Sequence, residues 1–265
     1  MASVTISAAP DRNLTRSAHP ALERGLTITP DRVAYYGAFG RPSPRCLGSW
    51  AFYLSMDAPF TLDEAGRETR SAEFALVPPW TTHRVLPAAT DLAVLLIEPD
   101  SVDGAALQAS LMGTPQRQQD TAIAIARGFG SAPSADADID TLFFGGALPQ
   151  RRLDHRIHRV IELIAAPASS NLSAEQCAEH VCLSSSRFMH LFNEQTDTTF
   201  RRFRAWKRAR RFLSQLSGKA RLVEVALDVG YADSTHLSRS VRSCFGYTPS
   251  ALCGFTRGLS VIAQG

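Results

Sequence analysis

The sequence predicts a two-domain α+β chain: an N-terminal β-sandwich or barrel with flanking helices, then an all-helical domain holding two helix-turn-helix motifs. Three observations predict it. Two-fold hydrophobic alternation prevails from Leu26 to Glu98, helical periodicity prevails after Leu153, and the charge balance reverses between the halves. Residues 151–265 hold 17 Lys and Arg against 9 Asp and Glu, whereas residues 1–150 hold 11 against 16. An acidic half joined to a basic one suits a chain whose second half meets a polyanion. A solvated basic surface without a partner is the plainer alternative.

Length and composition bound the reading. The 265 residues suffice for two domains, and no apolar run reaches the length of a membrane span. The first residues, MASVTISAAPDRNLTRSAHP, lack the apolar segment of a secretion signal and read as a loose tail over residues 1–24. Cys46, Cys177, Cys182, Cys244 and Cys253 are odd in number and form no CxxC pair, which suits free thiols in a reducing cytoplasm.

Residues 25–130 carry the expected β-domain. Ser49–Met56 alternates Trp50, Phe52, Leu54 and Met56 against smaller or polar residues, the pattern of a half-buried strand. Phe60–Thr69 reads as a hairpin turning at Asp63–Gly66, and Glu73–Val77, Arg84–Leu86 and Asp91–Ile97 as further strands, with prolines marking their ends. Helical spacing follows over Asp103–Met112 and Thr121–Arg127; those helices either cover a face of the β-domain or serve dimerisation. The small, acidic, Pro-containing run Gly130–Asp140 reads as a linker, extending over residues 131–150.

FALVPPWTTHRV, from Phe74 to Val85, resembles the Pro-x-x-x-x-His strand end of cupin-like sensor domains. No His-x-His pair accompanies it, and His83 is the sole histidine between His19 and His155, so a metal would lack ligands. The expectation is a small organic ligand instead, with Trp50, Phe52, Tyr53, Trp80, His83 and Arg84 as candidate lining; each is equally readable as ordinary core or rim.

Residues 151–258 form the basic domain. Leu153, Ile157, Val160, Ile161 and Ile164 mark an amphipathic helix ended by Pro167. Ser173 and Gln176 then form a capping box, and Ser184 caps a second helix with Phe188, Leu191 and Phe192 inward. Phe200–Leu216 places Phe200, Phe203, Trp206, Leu213 and Leu216 on one stripe of a very basic helix. A second helix pair follows: Val223, Val225, Ala226 and Val229, a turn at Gly230, an Asp233 cap, and a helix with Leu237, Val241 and Cys244 inward. Hydroxyls and guanidinium groups on its other side have the form of a DNA recognition helix.

Two such motifs joined by a basic helix and ending in GYADSTHLSRSVRSCFGYTPSAL resemble the DNA-binding domain of the AraC/XylS family of bacterial transcription regulators. Gly230-Tyr231, Ser238-Arg239, Phe245-Gly246 and Thr248-Pro249-Ser250 carry the resemblance, which covers residues 153–255. Departures are Leu237 and Val241, where aromatic residues are usual, and Leu252-Cys253, where Tyr-Arg is common. The resemblance implies base contacts from Ser185, Ser186, Met189 and His190 in one major-groove segment and from Ser234, Thr235, His236, Ser238 and Arg239 in the next. It implies phosphate contacts from Arg187, Arg202, Lys207 and Arg242. It also implies promoter DNA, RNA polymerase, a small-molecule effector and a second copy of the chain as partners, no cofactor, and a cytoplasmic, nucleoid-bound location. Two rivals stand beside this reading: a DNA binder without a ligand, and a cupin-type enzyme with a basic appendage.

Overall fold

A computed structural model describes residues 4–6, 25–55, 58–87, 91–111, 136–166, 172–216, 222–255 and 260–263. The expected helix at Thr121–Arg127 lies outside them. The β-domain is built of two facing sheets. One runs β1 (Val4–Ile6), β8 (Phe74–Val77), β5 (Trp50–Ser55), β10 (Asp91–Ile97), β3 (Arg32–Ala38), β2 (Gly25–Ile28), β11 (Ser260–Ala263). The other runs β4 (Arg45–Cys46), β9 (Thr82–Pro87), β6 (Phe60–Glu64), β7 (Arg70–Ala72). Every pairing is antiparallel except that of β11 with β2. The hairpin β6–β7 turns through Gly66 at φ 80°, where a residue without Cβ meets no steric cost.

β5 corrects the expectation of a half-buried strand, because Trp50 to Leu54 are all buried. Tyr53 and Ala51 face the interior between the sheets. Trp50, Phe52 and Leu54 face the opposite side, where α1 (Gly104–Leu111) and α2 (Asp136–Phe144) cover them through Leu107, Ile139 and Phe143. α1 therefore covers a face of the β-domain, the first of its two expected roles.

α2 replaces part of the expected linker. Its acidity has a local reason: Asp140 receives Arg32 Nε at 2.8 Å and an Arg32 terminal nitrogen at 2.9 Å, a buried two-point pair that fastens the helix to β3. Composition alone cannot separate a solvated acidic run from one such buried carboxylate.

The helical domain begins with α3 (His155–Ala165), capped by Asp154. α4 (Ala174–His180) starts with the full capping box: Gln176 N donates to Ser173 Oγ at 3.2 Å and Ser173 N to Gln176 Oε1 at 2.8 Å. α5 (Ser185–Thr196) is capped by Ser184. α6 (Phe200–Ser214) spans most of the predicted basic helix, capped by Thr199. α7 (Leu222–Asp228), α8 (Ser234–Phe245) and α9 (Pro249–Phe255) complete the domain. No helix among the described residues is long and apolar enough to cross a membrane.

The two motifs are packed differently. The first has its own core, formed by α3, α4, α5 and the start of α6 around Phe188, Phe192, Phe200 and Phe203. Among the described residues the second has none of its own. Trp206, Phe212, Val225, Leu237 and Val241 join Tyr53, Phe60, Leu62 and Val85 in a single apolar cluster with the β-domain. Sequence periodicity assigned both motifs an inward stripe but could not say that one stripe faces another domain.

Candidate nucleic-acid interface and ligand cavity

The two helix-turn-helix turns close in the same way. Leu183 N donates to Ala178 O at 2.9 Å, and Tyr231 N donates to Ala226 O at 2.8 Å, each spanning five residues. The residues at the bends are left-handed, Cys182 at φ 53° and Gly230 at φ 85°, so each first helix ends in a Schellman-type turn. Both second helices also end on a left-handed residue, α5 at Asp197 and α8 at Gly246. Capping repeats too: Ser184 Oγ accepts from Arg187 N at 3.3 Å, and Asp233 Oδ1 accepts from His236 N at 2.7 Å. The chain thus builds the same hydrogen-bonded frame twice.

This frame places the base-reading candidates as follows. In α5, Ser185, Ser186 and His190 are exposed, whereas Met189 is half-buried against the first core. In α8, Thr235, His236 and Arg239 are exposed, and Ser234 and Ser238 are half-buried. His236 lies edge-on to the Tyr231 ring, centroids 5.1 Å apart, so the turn steadies its side chain. Leu237 and Val241, the departures from the usual aromatic residues, are fully buried and keep the helix seated.

The phosphate candidates divide. Arg187 and Arg242 are exposed, one on α5 and one on α8. Arg202 is exposed but engaged, its guanidinium 4.7 Å above the Trp80 ring and donating to Cys46 Sγ at 3.1 Å. Lys207 corrects the sequence expectation of an outward phosphate contact. Its side chain is only 10% exposed and donates to Glu98 Oε2 at 2.6 Å and to both Asp100 oxygens at 3.1 Å. Burial alone would lower its pKa, but Asp100 and Glu98 outweigh that and raise it, so the ammonium form is held.

Glu98 is the centre of the domain seam. Beside Lys207 it accepts Trp206 Nε1 at 3.0 Å and Arg210 Nε at 2.8 Å, while an Arg210 terminal nitrogen donates to Thr29 O at 2.6 Å. A Cβ on Gly48 would lie 2.3 Å from Trp206 Cγ, so only glycine lets β-domain and α6 meet there. At the other end of the seam Ser43 N donates to Gly246 O at 2.9 Å, and the Tyr247 hydroxyl donates to Phe39 O. Arg151 adds a third tie, donating to Pro99 O at 3.3 Å and Gln195 O at 2.6 Å.

Between the two domains lies a partly open apolar cavity of about 110 Å³. Tyr53, Tyr35 and Phe39 line it from the β-domain, and Leu213, Leu216 and Tyr247 from the helical domain. Of the six predicted lining residues, Tyr53 alone is present. Trp50 and Phe52 lie on the far face of β5 and Trp80 under Arg202, while Arg84 pairs outward with Asp63 at 3.1 Å. His83 is buried one step behind the wall: its Nε2 is 2.8 Å from Tyr53 Oη and its Nδ1 is 2.8 Å from Thr81 O. With Nδ1–H donating to Thr81, Nε2 is the acceptor for the Tyr53 hydroxyl. Burial, reinforced by the charge of Arg45, pushes His83 down to about 3, so the ring is neutral.

Arg45 was missed by sequence reading, since no motif surrounds it. It is 4% exposed, lines the cavity, donates to Tyr53 Oη at 2.8 Å, and stacks on the Phe39 ring at 4.7 Å. Among the described residues no carboxylate pairs with it. An apolar cavity floored by a buried guanidinium among neutral neighbours favours an anionic group on an apolar body.

Two helix-turn-helix frames, each with a capped second helix, are thus joined to a two-sheet β-domain. Residues 177–253 match the family described as "Helix-turn-helix domain". The arabinose operon regulatory proteins of Escherichia coli K12 and Salmonella typhimurium LT2 are 32% and 31% identical to this chain over 100 residues, 37% of it. That stretch is 34% and 36% of their own length, so the chain spans about a third of the curated relatives it matches. The solved structure of ToxT from Vibrio cholerae O395 shares the fold across both domains, with a TM-score of 0.58, 12% identity, and 87% of this chain and 100% of ToxT covered. The matched stretch falls on the double helix-turn-helix domain, which is thus similar to that of the arabinose operon regulatory proteins.

Proposed function

We propose that the chain is a sequence-specific transcription regulator whose β-domain senses a small organic anion. The observation that supports DNA binding is the paired frame, which leaves Ser185, Ser186, His190, Thr235, His236 and Arg239 exposed on two capped helices. One helix enters each of two successive major-groove segments, while Arg187, Arg242 and the helix-start amides hold phosphate. RNA polymerase and a second copy of the chain are the further partners of this reading, and it gives the chain no catalytic step. Mapping of bound genomic sites, followed by gel shifts on the recovered sequences, tests it. Affinity falling steeply between roughly 50 and 200 mM salt is expected; a flat response, or equal affinity for unrelated duplexes, refutes it.

Effector binding is supported by Arg45. ToxT has been solved with an unsaturated fatty acid bound and with (E)-4-(8-methylnaphthalen-1-yl)but-3-enoic acid bound. For this chain we assign the cavity to a carboxylate with an apolar body, its charge meeting Arg45 and its body lying against Leu213 and Leu216. Thermal-shift titration with such carboxylates and with their methyl esters tests the assignment. Stabilisation by the acid that is lost in the ester and in Arg45→Met supports it, and equal shifts from acid and ester overturn it.

A further inference from the structure

Cys46 and Cys244 come together across the domain seam. Cys46 closes β4 and accepts a hydrogen bond from Arg202 at 3.1 Å. Cys244 lies in the last turn of α8, and α8 packs directly against β4. The approach is tight. Ser43 N reaches Gly246 O at 2.9 Å, and a Cβ on Gly246 would stand 2.4 Å from Ser43 O. Three residues lead from Ser43 to Cys46 and two from Gly246 back to Cys244, so the shared backbone contact fixes both thiols beside one joint. Both are partly accessible, unlike buried Cys177, so a small oxidant can reach them. Cys244 also feels Cys46 electrostatically: burial first, then the charge of Cys46, pushes the Cys244 thiol up to about 12.

We propose that Cys46 and Cys244 are a reversible thiol pair that peroxide converts to an interdomain disulfide, tying recognition helix α8 to the sensor sheet. The Cys46 sulfur, as thiolate, attacks one peroxide oxygen; the O–O bond breaks, hydroxide leaves to become water, and a sulfenic acid remains. The Cys244 sulfur then attacks that sulfur. The S–O bond breaks, and the departing hydroxide takes the Cys244 proton as a second water. Two thiols lose two electrons in all, and one peroxide gains them. Arg202 supplies a cationic donor to the Cys46 sulfur during the first step. Because Cys244 is protonated at neutral pH, its attack is the slow step, and disulfide formation accelerates as pH rises. Reduction by a dithiol restores the open pair.

The bond itself is independent of the regulatory reading, whereas its effect on DNA binding rests on that reading, so two readouts are needed. Full-length protein is treated with hydrogen peroxide, alkylated, digested without reduction and examined by mass spectrometry. The expected result is a peptide pair linked through Cys46 and Cys244, removed by dithiothreitol and absent from Cys46→Ser and Cys244→Ser. Its rate should increase several-fold from pH 7 to pH 9. No linked pair, a sulfinic acid confined to Cys46, or a link between two copies of the chain overturns the proposal. Gel shifts on the oxidised protein read the consequence, a tenfold or greater loss of specific affinity recovered on reduction. A linked pair with affinity unchanged upholds the disulfide and refutes its control of DNA binding.

Discussion

Glu98→Gln tests whether the seam is an electrostatic joint or only an apolar one. The carboxylate is 1% exposed and receives an indole N–H, an ammonium and a guanidinium, with donor distances of 3.0, 2.6 and 2.8 Å. Glutamine keeps the size and one carbonyl acceptor, so Trp206 retains its bond. The amide NH2 then points at cations, and Lys207 is left with Asp100 alone. Removing one member of a buried charge cluster costs roughly 3–5 kcal/mol, because the remaining charges stay desolvated. The assay is urea unfolding at neutral pH, followed by the emission of the three tryptophans. Trp206, 1% exposed in the native seam, should shift to the red before global unfolding if the joint opens. A second change, Lys207→Met, separates charge from packing: in the double variant the unmatched cation is gone, and at least ~1.5 kcal/mol of the loss should return. A loss below about 1 kcal/mol in Glu98→Gln, or strictly additive effects in the pair, would refute the reasoning.

Three further outcomes follow from other residues. Arg239→Ala removes an exposed guanidinium, so it should leave the unfolding midpoint unchanged while weakening specific DNA binding by roughly 1–3 kcal/mol and relaxing one base position; unchanged preference in a gel-shift series speaks against base reading. Gly246→Ala meets a left-handed φ of 78° and Ser43 O at 2.4 Å, whereas Gly66→Ala meets only φ 80° in open space; both should lose the ~1 kcal/mol of a left-handed Cβ, and Gly246→Ala at least ~1 kcal/mol more, with equal losses counting against the close contact. His83, ordinarily titrating near 6.5, is held near 3, so the unfolded chain binds the extra proton between those values and native stability falls as pH drops through that window. By pH 5 this amounts to about 2 kcal/mol, so wild type should lose that much more than His83→Gln between pH 7 and 5 in chemical denaturation; parallel losses refute the neutral, buried ring.

What sequence could reveal tracks the distance over which each interaction acts. Ser173 with Gln176, Ser184 with Arg187 N and Asp233 with His236 N act within three residues, and their spacing announced them. The strands were legible from alternation, but β5 was not legible as a strand buried on both faces. Trp50 and Phe52 belong to a surface that α1 and α2 later cover, which moved them from the expected pocket into a wall. Lys207 reads as one more cation on a basic helix until Glu98, 109 residues earlier, folds against it. Arg45 has no motif at all; its meaning comes from Tyr53, His83 and Phe39 closing around it. Resemblance located the helix-turn-helix half well because that half repeats a local frame. The cavity depends on residues from both domains, and no window of sequence contains them.

The unequal cores of the two motifs bear on how the chain can be divided. A fragment starting near residue 151 would carry away the first motif with its aromatic cluster intact. The second would arrive with Trp206, Phe212 and Leu213 stripped of Tyr53, Phe60 and Val85, an uncovered apolar face on a cationic helix. Such a fragment is expected to self-associate or cling to other surfaces, and its behaviour on DNA would reflect that stickiness as well as base reading. The β-domain is therefore also a folding partner of the second motif, because it covers that motif's apolar face. Whatever loosens that contact exposes the face, and so changes the solubility of the helical half as well as its position.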